Sequence, residues 1–399
     1  WDHFAKNGGT ENGDNGSFAC DHFHRFEEDL DLLVDAGFDA YRFSFSWSRL
    51  FPDGKNLNIE GLDFYKQLLD AINSRGLRPF GTAYHWDMPQ ALGQLGGWTV
   101  RENAERFGDY MGFIARTFGD GLENLVSINE PWCVAWLSHY LGEHAPGLKD
   151  LNSAASANHF VCLGHGLGVQ AARAETAKPI GIVLNFTPGR VENRSDSNIS
   201  ALERYEAVTN TWYLSAVTKG KYPHAALSEL EPLLPRNWQR DMDIIRAPID
   251  FIGINYYTTQ MLKAGGQDFP YVEIVDRNLP KTDMGWEIEP KGLADAINLV
   301  SQYAPDMPLY ITENGMASEK SISDPDRIKY YQDHLDVVAK AAQTLPIKGY
   351  FAWSLLDNFE WAFGYKKRFG LVYVDYETQQ RTKKDSFKWW QSELVRPLA

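Results

Sequence analysis

The chain has 399 residues and only three cysteines, Cys20, Cys133 and Cys162. An odd number, with no C-x-x-C pair and no zinc-type spacing, argues against a disulfide framework and against a structural metal. No run of 18 apolar residues occurs, so no segment reads as a membrane-crossing helix, and residues 1–7 lack the apolar stretch of a signal peptide. A cytoplasmic protein with reduced thiols is the expectation. Positive charge is also scarce. Lys and Arg number 39 against 53 Asp and Glu, a formal charge of −14, the opposite of the basic footprint that a nucleic-acid partner needs. No glycine-rich loop follows a candidate strand, which weakens a nucleotide-binding reading. No Pro/Gly/Ser-rich linker or charge block divides the sequence, so residues 1–399 are read as one domain.

What the sequence does contain is apolar and aromatic: 44% hydrophobic residues, with Phe, Trp and Tyr at 14%, enough for a large core. Phe23, Phe26, Leu30 and Leu33 recur at helical spacing and stop at Gly37, and strand-like Tyr41 to Trp47 follows. The pattern repeats with Leu62, Tyr65, Leu69 and Ile72 before Gly76 and the strand Pro79 to Trp86. It returns from Val100 to Phe118 before Gly119, with Leu125 to Glu130 as the strand. Further strands are read at Ile180 to Asn185, Ile249 to Tyr257, Leu309 to Glu313 and Gly349 to Leu355. Helices are expected near 153–175, 201–217, 292–303 and 327–343. Alternation of short apolar strands and helices predicts parallel strands with helical crossovers, an α/β protein of the (β/α)8 TIM-barrel type. The count is seven strands rather than eight. Residues 1–20, rich in Gly, Asn and Asp, read as a loop of the kind that follows a strand, so the first strand is expected to be missing.

Polar and aromatic side chains collect at the C-terminal ends of these strands, where barrel active sites lie. They include His85-Trp86-Asp87, Asn129-Glu130-Pro131-Trp132, Asn255-Tyr256-Tyr257, Thr312-Glu313-Asn314-Gly315 and Trp353 through Trp361. Indole faces beside Asn, His and Glu suit a sugar, whose C–H faces stack on rings while each hydroxyl needs a fixed hydrogen-bond partner. Glu130 and Glu313, each ending an apolar strand before a chain break, form the carboxylate pair that glycoside hydrolysis uses. Arg42 and Tyr257 at other strand ends strengthen that reading. The alternative for any one strand-end glutamate is a structural ion pair. His22 and His24 form an H-x-H pair that is read as packing, since no third ligand lies near them in sequence.

At these residues the sequence closely resembles glycoside hydrolase family 1, the β-glucosidase family, from Trp1 to about Trp390. The resemblance rests on Cys20-Asp21-His22-Phe23-His24-Arg25, Tyr41-Arg42-Phe43-Ser44, Tyr84-His85-Trp86-Asp87, Ile128-Asn129-Glu130-Pro131, Ile311-Thr312-Glu313-Asn314-Gly315 and Trp353 to Trp361. It implies a retaining β-glucosidase with no metal or cofactor, acting by double displacement on a small-molecule β-glucoside. Cellobiose-like, aryl or alkyl glucosides are implied, with β-galactosides and β-fucosides as further candidates. By that resemblance Glu313 is the nucleophile and Glu130 the acid/base, with Arg42 and Tyr257 holding Glu313. His85, Trp86, Asn129, Trp353, Glu360 and Trp361 bind the sugar, and Trp132, Cys133 and Trp286 line the leaving-group side. Asn255 is expected behind the site, in a supporting hydrogen bond. Family members open with a strand whose terminal Gln binds sugar hydroxyls, and the present sequence begins past the corresponding point. The segment Met316 to Pro325 is also short for a loop over the site. Two alternatives stay open: a 6-phospho-β-glycosidase, which Glu360 disfavours and Lys366 and Lys367 favour, and a non-catalytic sugar-binding protein. No nucleic-acid or membrane partner is expected, and the sequence assigns no oligomeric state.

Overall fold

The computed structural model describes residues 1–319 and 322–394. Seven parallel strands form its central sheet: β1 (Ala40–Ser44), β2 (Arg78–Tyr84), β3 (Asn124–Asn129), β4 (Ile180–Phe186), β5 (Phe251–Tyr256), β6 (Leu309–Asn314) and β7 (Ile347–Ala352). They are ordered as in the chain, each hydrogen-bonded to the next. This is a TIM-barrel fold, with seven barrel strands among the described residues. All seven expected strands form, and residues 1–20 contain a short helix, Asp2–Lys6, and a 3₁₀ turn, Glu11–Gly13. Strands β2 to β5 are buried along nearly their whole length because helices cover one face and the barrel interior the other.

The helices follow from their apolar stripes. In Arg101–Phe118 the buried residues Ala104, Phe107, Met111, Ile114 and Phe118 recur at three- and four-residue steps, and this face lies against the long helix Leu151–Glu175. Helix His22–Ala36 ends where Gly37 takes φ 84°, a left-handed cap that a β-carbon would disfavour. Two expectations need correction. The strand read from Tyr41 to Trp47 stops at Ser44, and Trp47 opens a short helix, Trp47–Leu50, with its indole fully buried among Tyr84, Phe107 and Tyr110. The helix read at 201–217 begins at Asp196 and is broken by a π-helical turn, Ala207–Thr211.

Outside the barrel, a three-stranded sheet (Gly189–Val191, Gln260–Ala264, Val272–Val275) and a hairpin (Val372–Val374, Arg381–Lys383) went unread in the sequence. The segment Met316 to Pro325 includes residues 320 and 321, which lie outside the described residues. Near its start, the Ser318 amide donates to the Arg368 carbonyl at 3.0 Å. No helix among the described residues is long and apolar enough to cross a membrane. His22 and His24 do not converge: His22 pairs with Asp29 at 2.9 Å and His24 with Asp21 at 2.6 Å.

Candidate active site

The C-terminal ends of β3, β5 and β6 place Glu130, Asn255 and Glu313 side by side. Register explains it, since parallel strands in step bring the residues at their ends to one rim. Asn255 lies opposite Glu313 across the β5–β6 pairing. Glu130 follows the last residue of β3 with its amide bonded to the Val183 carbonyl of β4 at 2.9 Å. Both carboxyls are nearly closed to solvent, at 6% exposure for Glu130 and 4% for Glu313.

Their surroundings differ. Arg42, from β1, donates to Glu313 Oε1 at 2.7 Å, and the Tyr257 hydroxyl donates to Oε2 at 2.8 Å. An ion pair and a hydrogen bond thus fix both oxygens of the Glu313 carboxyl. Glu130 has no cation at hydrogen-bond distance. It accepts from the Asn255 amide at 2.6 Å on Oε1 and from the Cys133 thiol at 3.1 Å on Oε2. Burial and the nearby charge of Glu313 push its carboxyl up to about 7. One carboxyl is therefore ion-paired to a guanidinium, and the other is poised to exchange a proton near neutrality.

A continuous set of hydrogen bonds joins the two. Arg42 bridges from Glu313 to Asn129 Oδ1 at 2.6 Å, and Asn255 donates both to Asn129 Oδ1, at 3.2 Å, and to Glu130. The Thr312 hydroxyl in turn donates to Asn255 Oδ1 at 2.7 Å and fixes its amide. The sequence reading put Asn255 behind the site. Its supporting hydrogen bond goes to Glu130, and the Thr312 support went unread because no local pattern marks a bond between neighbouring strands.

The cavity over these groups has a volume of about 470 Å³, within the range that holds a sugar and part of a leaving group. Its wall includes His85, Trp86, Trp132, Cys133, Tyr257, Trp286, Trp353, Glu360 and Trp361. His85 is held by Asn129 at 3.1 Å and Ser44 at 3.3 Å, and burial plus the charge of Arg42 keep its ring neutral. The Trp86 indole donates to the Asn129 carbonyl at 2.9 Å. Trp361 lies 5.3 Å from Trp86 and 4.6 Å from Trp1 between ring centres. The Trp353 backbone packs directly against residue 315 because that residue is glycine: a β-carbon there would meet the Trp353 carbonyl oxygen at 1.9 Å. Its amide bonds to the Asn314 carbonyl at 2.9 Å. Burial and the charges of Glu313 and Glu130 push Glu360 up to about 8.

Trp86, Glu130 and Trp361 all have positive φ, at 82°, 48° and 48°. Left-handed backbone at a non-glycine residue costs about 1–3 kcal/mol and clusters at functional sites, where surrounding contacts hold it. Missed in the sequence were the apolar wall residues Tyr140, Phe269 and Ile274, and His144, whose ring lies tilted against Trp86 with centres 5.2 Å apart. Among the described residues the cavity wall carries no lysine or arginine. Lys366 pairs with Glu11 at 3.1 Å, and Lys367 donates to the Asp283 carbonyl.

The whole arrangement coincides with a known family. The family model for glycosyl hydrolase family 1 matches residues 1–396. The chain belongs to glycosyl hydrolase family 1. Beta-glucosidase A of Thermotoga maritima is 42% identical over 394 residues, covering 96% of this chain and 88% of the relative. A bifunctional beta-D-glucosidase/beta-D-fucosidase of Bifidobacterium breve is 42% identical over 424 residues, covering 98% and 91%. The solved family 1 β-glucosidase from Thermotoga maritima superposes with a TM-score of 0.95 at 42% identity, over 98% of this chain and 91% of that one. The same enzyme in complex with deoxynojirimycin gives a TM-score of 0.95.

Proposed function

We propose that this family 1 glycosidase is a retaining β-glucosidase cleaving terminal β-D-glucosides of small molecules, and that residues 1–399 work as one catalytic unit. The observation that carries the reading is the hydrogen-bonded chain Tyr257–Glu313–Arg42–Asn129–Asn255–Glu130, with an ion-paired carboxylate at one end and a proton-holding carboxyl at the other. Glu313 attacks the anomeric carbon as the glycosidic C–O bond breaks, and Glu130 protonates the departing oxygen. Water then attacks the glucosyl–Glu313 ester while Glu130 takes its proton, releasing β-glucose and restoring both groups. Two inversions at the anomeric carbon leave its configuration unchanged.

Asn129 is placed to bind the 2-hydroxyl, where contacts tighten as positive charge develops on the sugar ring. Trp353 is the stacking floor, and His85, Trp86, Trp361 and Glu360 hold the remaining hydroxyls. Trp132, Cys133 and Trp286 face the leaving group. The inhibitor complexes of the Thermotoga maritima enzyme support a sugar-sized ligand here, and the name of the Bifidobacterium breve relative supports β-fucosides as further substrates. A 6-phosphate would meet Glu360 on a wall without lysine or arginine, which disfavours phosphorylated glycosides. A reducing, cytoplasmic setting is part of the reading and is supported by three cysteines that form no disulfide.

The test is intact-protein mass spectrometry with an activated 2-deoxy-2-fluoro-β-glucoside, followed by peptide mapping. One adduct per chain on the peptide containing Glu313 is expected, because the fluorine slows both formation and release of the glucosyl ester while the activated leaving group speeds its formation alone. An unmodified protein that turns over phosphorylated aryl glycosides would overturn the substrate assignment. An adduct on any other carboxyl would overturn the assignment of Glu313.

A further inference from the structure

Cys133 is the first residue of a π-helical turn, Cys133–Leu137, that follows directly on Glu130 and Pro131. Its amide donates to the Glu130 carbonyl at 3.0 Å, and its sulfur lies 3.1 Å from Glu130 Oε2, close for a thiol donor. The left-handed backbone of Glu130 turns the carboxyl back over this turn. The other oxygen, Oε1, faces the Asn255 amide, whose carbonyl end is locked by Thr312. Asn255 can therefore only donate, and Oε1 can only accept. That leaves Oε2, beside the sulfur, as the place for a proton.

We propose that Cys133 is a positioning residue for the acid/base step: its thiol marks Oε2 as the oxygen that delivers and retrieves the proton, and it hydrogen-bonds that oxygen when the carboxyl is ionised. The inference rests on the reading of Glu130 as acid/base. A thiol suits the task because it is a weak donor and a weak acceptor. It donates S–H to the carboxylate, and it offers little competition for the O–H when the carboxyl is protonated and must point at the leaving oxygen. Burial and the charge of Glu130 push the thiol well up, so it stays S–H.

The charged and titratable groups around Glu130 come from several elements. Glu313 on β6 favours its protonated form, and Arg42 on β1 favours the ionised one. Glu360, after β7, is itself raised by both carboxylates, Tyr257 follows β5, and Glu143 acts on Cys133. Neutral His85 and His144 share the cavity wall. Among the described residues, the hydrogen bond to Oε2 comes from the thiol.

The test compares kcat/KM against pH on phenyl β-glucoside, a substrate with a poor leaving group, for wild type, Cys133→Val and Cys133→Ser. The alkaline limb reports loss of the Glu130 proton. Valine removes the donor at similar volume, so the limb should move to higher pH by about half a unit or more, while serine keeps a donor and should leave it at or below the wild-type position. Carboxyl ¹³C titration of the resting protein, assigned with Glu130→Gln, reads the same shift without turnover, and thermal melting checks the fold. A valine limb that superimposes on wild type, or a serine limb that rises with it, overturns the proposal. If Glu130→Gln leaves turnover intact, the acid/base reading itself has failed, and the role of Cys133 falls with it. A Glu130-dependent enzyme with an unmoved alkaline limb sinks the Cys133 proposal alone.

Discussion

The two sides of the barrel are built differently. From β2 to β6 every strand is paired on both edges, and Asn129, Glu130, Asn255 and Glu313 stand on this continuous arc, tied together by hydrogen bonds across the strand ends, with Arg42 of β1 linking Glu313 to Asn129. On the opposite side β1 and β7 each pair on one edge only. Between them lies a cavity of about 670 Å³ lined by Tyr41 and Phe43 of β1, Tyr350 and Phe351 of β7, and the segment Ser17 to Phe23. His85 and Trp353 face both this seam and the sugar cavity. The arc carries Glu130 and Glu313, and the seam strands lead to Arg42, which pairs with Glu313, and to the Trp353 ring of the cavity wall. Hydrogen-bonded neighbours fix a carboxyl to fractions of an ångström, whereas stacking tolerates small shifts.

The largest expected effect sharpens this contrast. Glu313→Gln should lower kcat by at least about 10⁴-fold, since it removes the bond-forming group, while leaving affinity for a glucose-like inhibitor measurable by calorimetry. Retained turnover would remove Glu313 from the chemistry. Glu130→Gln should cost about 10²–10⁴-fold on alkyl glucosides and much less in kcat/KM on dinitrophenyl glucosides, whose leaving group needs no proton. Equal losses on both would break the acid assignment. In the wild type, kcat/KM on alkyl glucosides should fall as pH rises through about 7, where Glu130 loses its proton.

A contact-holding residue should behave otherwise. Trp353→Ala should raise KM by about tenfold or more, with a smaller change in kcat, because it removes stacking area rather than a reacting group. If kcat fell as far as for Glu130→Gln, the division between arc and seam would not hold.

Glu360 gives a smaller effect. Its carboxyl is raised from 4.5 to about 8 by burial and by its two charged neighbours, so the folded state holds the proton more tightly than the unfolded chain does. The stabilisation this provides is complete below pH 4.5 and is lost as pH rises towards 8. Glu360→Gln, which cannot ionise, should melt about 1–3 °C above wild type at pH 9 and no higher at pH 5. The smallest effect concerns the seam itself: amides of β1 and β7 should exchange with deuterium about tenfold faster than those of β3 to β5. Uniform protection would mean that the seam is no weaker than the arc.

Much of this was legible along the chain because it is written at short range. Each barrel strand is a brief apolar run between a helix with a three-to-four-residue stripe and a polar, aromatic end, and that local signal placed all seven strands. Glu130 and Glu313 were visible for the same reason. The small three-stranded sheet was not, since its central strand Gln260–Ala264 buries only Leu262 and Val272–Val275 buries none of its residues, too little to impose alternation. Trp47 misled because an aromatic beside Phe43 and Phe45 extends a strand pattern, although the Ser46 side chain accepts from the Arg49 amide and starts a helix. Ser46 is a cap signal of the ordinary kind.

By itself, then, the sequence determined the alternation of strands and helices, the barrel type and the two carboxylates, because periodicity and residue type act within a few positions of the chain. Only the tertiary structure decided how those carboxylates differ. Arg42 reaches Glu313 from 271 residues away, and Asn255 reaches Glu130 from 125. Such charge placement depends on strand register and burial, and these exist only once the barrel has formed.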